Sequence, residues 1–83
     1  MKYKYYTSGT CSRAIDLDVA DDGTIIDVAF TGGCHGNTQG VAALVKGMNA
    51  TEAIKRLRGI KCGAKPTSCP DQLAIALEKV LYQ

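Results

Sequence analysis

The chain has 83 residues, a length that fits one small domain, so residues 1–83 are predicted to fold as a single unit. Its composition is 46% hydrophobic and 22% charged, which is typical of a globular protein and argues against disorder. No apolar run approaches the roughly 20 residues that span a bilayer, and a net charge of +2 is too small to predict nucleic-acid or membrane-surface binding. The first residues lack the apolar core of a signal peptide, so we expect a cytoplasmic protein.

Two β-strands are predicted at the start of the chain. Residues 2–7 alternate lysine with tyrosine, a pattern typical of an edge strand. Residues 14–20 alternate strictly and predict a half-buried strand. The residues expected on its apolar face are Ile15, Leu17 and Val19.

A hairpin is predicted to lead into a third strand. The Asp-Asp-Gly sequence at residues 21–23 is a typical turn, because glycine readily takes a positive φ. The return strand then covers residues 24–31, with Ile26, Val28 and Phe30 on one face.

The glycine-rich segment at residues 32–37 ends the third strand, and a first helix is predicted to follow. Val41, Leu44 and Val45 have helical spacing, and Gly47 is the expected C-cap.

The second helix is predicted to begin near Asn49 or Thr51 and to stop at Gly59. The residues expected on its inner side are Ala53, Ile54 and Leu57.

A loop over residues 60–67 precedes the last helix, which begins at Ser68 with Asp71 at the capping-box spacing. Its apolar stripe contains Leu73, Leu77, Val80 and Leu81. Strands followed by helices indicate an α+β fold, a three-stranded, mainly antiparallel sheet with helices packed on one face.

Four cysteines are the outlying feature of the composition, and each lies in a loop or at the end of a predicted element. They are Cys11, Cys34, Cys62 and Cys69. Thiols stay reduced in the cytosol, which favours a metal over two disulfides. Four thiolates fit a tetrahedral zinc ion, and an iron–sulfur cluster fits as well. The alternative is four buried apolar thiols, and there is no C-x-x-C pair of the zinc-ribbon or thioredoxin type.

Two stretches carry a resemblance to the TSCPD family, which is named after the sequence Thr-Ser-Cys-Pro-Asp found here at residues 67–71. The stretch Phe-Thr-Gly-Gly-Cys-His-Gly-Asn at residues 30–37 resembles the rest of that family's small four-cysteine branch. Related domains lie at the C-terminal end of adenosylcobalamin-dependent ribonucleotide reductases. The resemblance therefore implies an accessory partner of ribonucleotide reductase. The chain carries no radical-generating barrel, so we expect no catalysis by it alone.

A more distant resemblance links the chain to the U-type iron–sulfur scaffold proteins, IscU, SufU and the NifU N-terminal domain. It covers residues 25–30, the Gly-Cys pair at 33–34, residues 44–47 and 52–53, and the Leu-Ala pair at 73–74 that follows Cys69. It implies an IscU/SufU-like fold, a match of three scaffold cysteines to Cys11, Cys34 and Cys69, and iron–sulfur machinery as a possible partner. The scaffolds' Asp two residues after the first cysteine is Arg13 here, and their His before the last cysteine is Ser68. Cys62 can replace the lost oxygen ligand, and a closed four-thiolate site is typical of structural zinc.

Three polar neighbours of the cysteines are predicted to support the site from outside the ligand set. They are His35, Ser68 and Asp71. For His35 a surface position is the alternative, and for Asp71 we expect helix capping. A basic segment is a further candidate surface for a phosphate, an RNA or a protein, with a solvated face as the alternative. Its members are Lys55, Arg56, Arg58, Lys61 and Lys65.

Overall fold

The structure is a computed structural model that describes residues 1–10, 12–33 and 35–82. It confirms the predicted α+β order, with three strands followed by three helices. The elements are β1 (Lys2–Tyr6), β2 (Ser12–Val19), β3 (Ile25–Gly32), α1 (His35–Val45), α2 (Ala50–Leu57) and α3 (Cys69–Leu81). The strands form one antiparallel sheet in the order β1-β2-β3.

The core lies between one face of the sheet and the helices. Ile15 and Leu17 of β2 are 0% and 3% exposed and belong to the same apolar cluster as Leu73 and Leu77 of α3. Asp16 lies on the opposite face of β2 and is exposed. The strict alternation of β2 therefore predicts its buried face correctly, because successive strand residues point to opposite sides.

The predicted face of β3 is wrong at Ile26. Asp18 pairs with Asp27 across the sheet, but the next pair joins Val19 to Ile25, so Ile26 is an extra residue in the ladder. Such a β-bulge shifts the alternation by one position. Ile25 is consequently 1% exposed and Ile26 52% exposed.

Glycines lie at both ends of helix α1, two between β3 and the helix and a third just after it. Gly32 and Gly33 have φ values of 80° and 86°, a region that favours glycine. At the other end, the backbone N–H of Gly47 donates to the carbonyl of Ile25 at 2.8 Å. The predicted break is thus confirmed, and Gly47, the expected C-cap, lies two residues after the end of α1 with a φ of 85°. Leu44 of the predicted helical pattern is 77% exposed.

Helices α2 and α3 pack against each other and have side-chain N-caps. The Asn49 side chain accepts from the backbone N–H of Thr51 at 2.9 Å, and the Ser68 hydroxyl accepts from that of Asp71 at 3.2 Å. Both caps agree with the sequence patterns. Among the described residues, no helix is long and apolar enough to cross a membrane.

Candidate functional site

The site is built where three chain segments meet at one end of the sheet. Cys11 and Cys34 lie outside the described residues, but each has a described neighbour. Ser12, which follows Cys11, pairs across the sheet with Gly32. A Cβ atom placed on Gly33, which precedes Cys34, would lie 3.2 Å from the Ser12 Cβ. The residues beside these two cysteines are therefore in close contact.

Cys69 belongs to the same end of the sheet. It is the first residue of α3 and is half-buried. Its Sγ lies 3.3 Å from Thr10 Oγ1 and 3.4 Å from Ser12 Oγ. Thr10 and Ser12 flank Cys11 in the sequence, so the surroundings of three predicted ligands converge.

Cys62 lies in the exposed loop between α2 and α3. Its backbone N–H donates to the carbonyl of Thr67 at 3.2 Å, and its own carbonyl accepts from the N–H of Lys65 at 3.0 Å. The loop thus folds back toward the start of α3. In the described ranges no group of three or more His, Cys, Asp or Glu residues could hold a metal ion. Those ranges include two of the four cysteines, and the four-cysteine site stays a prediction.

Residues 67–71, which we call the signature segment, contact both flanking loops. A Cβ atom on Gly9 would lie 2.9 Å from the Thr67 methyl group, and Gly9 has a φ of 75°. The Thr67 hydroxyl also accepts from Gln72 Nε2 at 3.0 Å, while Gln72 Oε1 accepts from the Ser8 N–H at 3.2 Å. The β1–β2 loop, which ends at Cys11, is therefore held against the start of α3.

Ser68 both caps α3 and binds the loop on the other side. Its hydroxyl donates to the carbonyl of Ile60 at 2.7 Å while accepting from the Asp71 N–H. The side chain is 4% exposed, and both of its hydrogen-bonding roles are used. Ser68 therefore connects the loop to the helix end, and its predicted support of a metal site stays a prediction. The side chain of His35 lies outside what the structure describes.

The carboxylate of Asp71 is buried and accepts from three donors. They are the N–H of Gly59 at 2.7 Å, Arg58 Nη1 at 3.1 Å and the hydroxyl of Thr67. Burial alone raises the pKa of Asp71, but these hydrogen bonds and the guanidinium charge outweigh it and lower the pKa. The expected side-chain capping is wrong, because this carboxylate binds the end of α2 and the residue before Ser68.

The basic segment is partly engaged within the protein. Arg58 Nε donates to Glu78 Oε1 at 2.8 Å, in addition to its pair with Asp71. Arg56 Nε pairs with Glu52 Oε1 at 3.0 Å, one helical turn away. The three lysines of the segment are exposed: Lys55, Lys61 and Lys65. Arg58 therefore forms ion pairs within the protein. The three exposed lysines are the accessible part of the basic segment.

Two residues of the site were not predicted from the sequence. The hydroxyls of Thr10 and Ser12 lie 2.9 Å apart and both contact the Cys69 sulfur. The available signal was their position on either side of Cys11, which placed hydroxyl donors next to a candidate thiolate.

A family model described as TSCPD domain matches residues 1–81 of the 83-residue chain. Comparisons with curated proteins and with solved structures found no match. The similarity to the IscU/SufU fold therefore stays a prediction.

Proposed function

We propose that this chain, which belongs to the TSCPD domain family, is a small zinc-binding module. Cys11, Cys34, Cys62 and Cys69 would hold one zinc ion as thiolates, and the ion would stabilise the fold. Bound in this way, zinc supplies a cross-link between loops and no reactive open position, because structural zinc sites are closed. We assign the module an accessory role in the cytoplasm, without catalysis by the chain alone.

The observation that supports the proposal best is the convergence around Cys69. Its sulfur contacts the two hydroxyls that flank Cys11, and the backbone of Ser12 pairs across the sheet with Gly32, two residues before Cys34. Three separate parts of the sequence thus place a predicted ligand or its neighbour at one end of the sheet. Thiolate is the ligand that suits zinc and iron best among the side chains available there.

The surroundings of Cys69 also suit the charged form of its side chain. The Thr10 hydroxyl can donate to the sulfur, while the thiol itself donates to Ser12 Oγ, and Cys69 opens a helix of 13 residues. Both a hydroxyl donor and a helix N-terminus stabilise a thiolate, which is the form that binds metal. Cys69 therefore combines ligand chemistry with a position fixed by the fold.

Native mass spectrometry of protein purified without added metal tests the proposal, together with a thiol count after unfolding. We expect one zinc ion per chain and four thiols that become reactive only after chelation. The Cys69→Ala variant should lose the metal. Full metal content in that variant, or no affinity of the wild type for added zinc, would contradict the proposal.

An iron–sulfur function of the same thiols is distinguished by a second experiment, reconstitution of the cluster. A carrier needs an exchangeable ligand, and Cys62 is the exposed thiol of the described pair. Anaerobic reconstitution with iron and sulfide should then give a chromophore that moves to an acceptor protein. Such transfer would replace the zinc proposal by a scaffold or sulfur-carrier function.

The accessory role rests on the resemblance to domains of adenosylcobalamin-dependent ribonucleotide reductases. We expect the chain to bind such an enzyme or to change its turnover, measured by titration of the zinc-loaded protein. Binding to RNA through the basic segment would instead fall steeply with salt concentration. Arg58 would contribute little to that binding, because its guanidinium is already paired with Asp71 and Glu78.

A further inference from the structure

The structure assigns a positioning role to Asp71, which we propose holds the loop that carries Cys62 in place before any metal binds. The inference rests on the proposed function only in taking Cys62 as a ligand. Asp71 itself lies in the signature segment, two residues after Cys69. Its carboxylate reaches back to the residues at both ends of the loop.

The loop in question, residues 60–66, has no buried residue to anchor it. Every one of these seven residues is exposed, whereas Thr67 and Ser68 that follow are buried at 9% and 4% exposure. An exposed segment gains little from apolar burial, so its conformation depends on hydrogen bonds at its ends. We call this segment the Cys62 loop.

At its first end, the Cys62 loop is held through Gly59. The N–H of Gly59 donates to Asp71 Oδ1 at 2.7 Å, the same oxygen that accepts from Arg58. Gly59 has a φ of 90°, which lets the chain turn sharply as it leaves the end of α2. The start of the loop is therefore attached to α3 by one carboxylate oxygen.

At its second end, the loop is held through Thr67. The Thr67 hydroxyl donates to the other oxygen, Asp71 Oδ2, and the Thr67 carbonyl accepts from the Cys62 N–H at 3.2 Å. Asp71 thus connects directly to the residue that contacts the Cys62 backbone. One carboxylate therefore contacts both ends of the loop, because its two oxygens serve opposite ends, and the Ser68 hydroxyl adds a hydrogen bond to the Ile60 carbonyl at the first end.

Burial makes this arrangement specific for a carboxylate. The Asp71 side chain is 5% exposed, and within the described residues every buried side-chain nitrogen and oxygen has a hydrogen-bond partner. An amide in its place offers one acceptor oxygen and an NH₂ group that cannot accept from the Thr67 hydroxyl. Asparagine keeps the size of the side chain, but its NH₂ group can reach Thr67 only by donating to a hydroxyl that already accepts from Gln72. The charge-assisted hydrogen bonds are then replaced by weaker neutral ones, and both ends of the loop are held less tightly.

The test compares Asp71→Asn with Glu78→Gln in metal-free protein. Glu78 is the other carboxylate bound by Arg58, but it has no contact with Gly59 or Thr67 in the described structure. Amide hydrogen exchange is measured at Gly59, Cys62 and, as a core reference, Leu17. We expect at least about tenfold faster exchange at Gly59 and Cys62 in Asp71→Asn only, with Leu17 unchanged.

Zinc affinity is the second readout, measured for the same two variants by competition with a chromophoric chelator. We expect about a 10- to 100-fold loss for Asp71→Asn, the range typical of residues that orient a ligand, and none for Glu78→Gln. Substitution with Co²⁺ adds a spectroscopic signature, since each lost thiolate lowers the sulfur-to-metal charge-transfer absorption. If Asp71→Asn does not fold, Thr67→Val is used instead, because it removes the hydroxyl that donates to Asp71 Oδ2. Faster amide exchange at Cys62 is expected in that variant too.

The outcomes separate this inference from the proposed function. Unchanged exchange at Cys62 in Asp71→Asn would overturn the positioning role, even if zinc binds the wild type as proposed. If exchange at Cys62 is faster in Asp71→Asn but the wild type never binds zinc, Asp71 still positions the loop. The proposal that Cys62 is a zinc ligand would then be wrong. Exchange that rises equally at Leu17 would overturn the inference, because the substitution would then act on the whole fold.

Discussion

At the scale of single residues, Asp71 is a buried charged side chain held by three donors. It is almost fully buried, yet it accepts from a guanidinium, a backbone N–H and a hydroxyl. Each hydrogen bond to a charged group is typically worth about 1.5–3 kcal/mol, and burial of the carboxylate opposes that gain. The lowered pKa shows that the folded protein favours the charged form.

The pH dependence of stability follows from this pKa. Because the folded pKa of Asp71 lies below the ordinary value of 3.8, its contribution is complete above that value and is lost as pH falls through the folded pKa. We expect the free energy of unfolding of the wild type to decline below about pH 4. In Asp71→Asn the decline should be shallower, as measured by urea unfolding between pH 2 and 7.

Asp22 provides the control for that measurement. Its pKa is also lowered, chiefly by a hydrogen bond from the Thr24 N–H to Oδ1 at 2.9 Å. Asp22 is exposed at the hairpin turn, and asparagine at this position retains the accepting oxygen. Asp22→Asn should therefore flatten the acid decline too, but by clearly less than Asp71→Asn, because solvent screens an exposed carboxylate. An equal flattening in both variants would contradict the assignment to Asp71.

At the scale of elements, the bulge in β3 decides which isoleucine belongs to the core. Ile25 and Ile26 are adjacent, yet one is 1% and the other 52% exposed. Ile25→Thr removes buried apolar area and buries a hydroxyl, and should cost at least about 2 kcal/mol of unfolding free energy. Ile26→Thr should change it by less than about 0.5 kcal/mol, because threonine is also a good strand residue. Chemical unfolding of the two variants checks this order, and equal losses would contradict the bulge.

The junction between β3 and α1 gives a second prediction at this scale. Gly33→Ala places a Cβ 3.2 Å from the Ser12 Cβ at a φ of 86°, so it should cost about 1–3 kcal/mol. Gly40→Ala is the matched control inside α1, where no described atom lies within 4 Å of the added Cβ. That substitution should be neutral or stabilise by up to about 1 kcal/mol. Thermal unfolding of both variants measures the difference, and a tolerated Gly33→Ala would contradict the close approach.

Most features of the individual strands and helices could be predicted from local patterns in the sequence. The alternation of β2, the hairpin glycine, the start of the second helix near Asn49 and the Ser68 cap are local signals, and all of them are confirmed. The bulge was missed because an extra residue in a ladder becomes visible only through its partner strand. For the same reason the spacing of Ser68 and Asp71 predicted the backbone cap but not the partners of the Asp71 carboxylate, two of which, Gly59 and Arg58, lie 12 and 13 residues away.

At the scale of the whole molecule, the core is made largely of small side chains where the helices contribute to it. Alanines fill many of the buried helix positions: Ala42, Ala50, Ala53, Ala74 and Ala76. Each buried CH₂ group contributes only about 0.8 kcal/mol, so such helices gain little from burial. A domain of 8.8 kDa has a thin stability margin in any case. A metal cross-link is one way for small domains to increase it.

Metal removal should therefore lower the thermal stability of the whole domain. With free zinc at 100 to 1,000 times its dissociation constant, binding adds about 2.7–4.1 kcal/mol, and each kcal/mol moves the melting temperature of a domain this size by about 4–8 °C. We expect a chelator to lower the melting temperature accordingly. Because Cys62 is exposed, Cys62→Ser should melt like the wild type in chelator and below it in zinc. A Cys62→Ser variant as stable as the wild type in zinc would show that this thiol is no ligand, whereas a loss already present in chelator would show that it acts through packing.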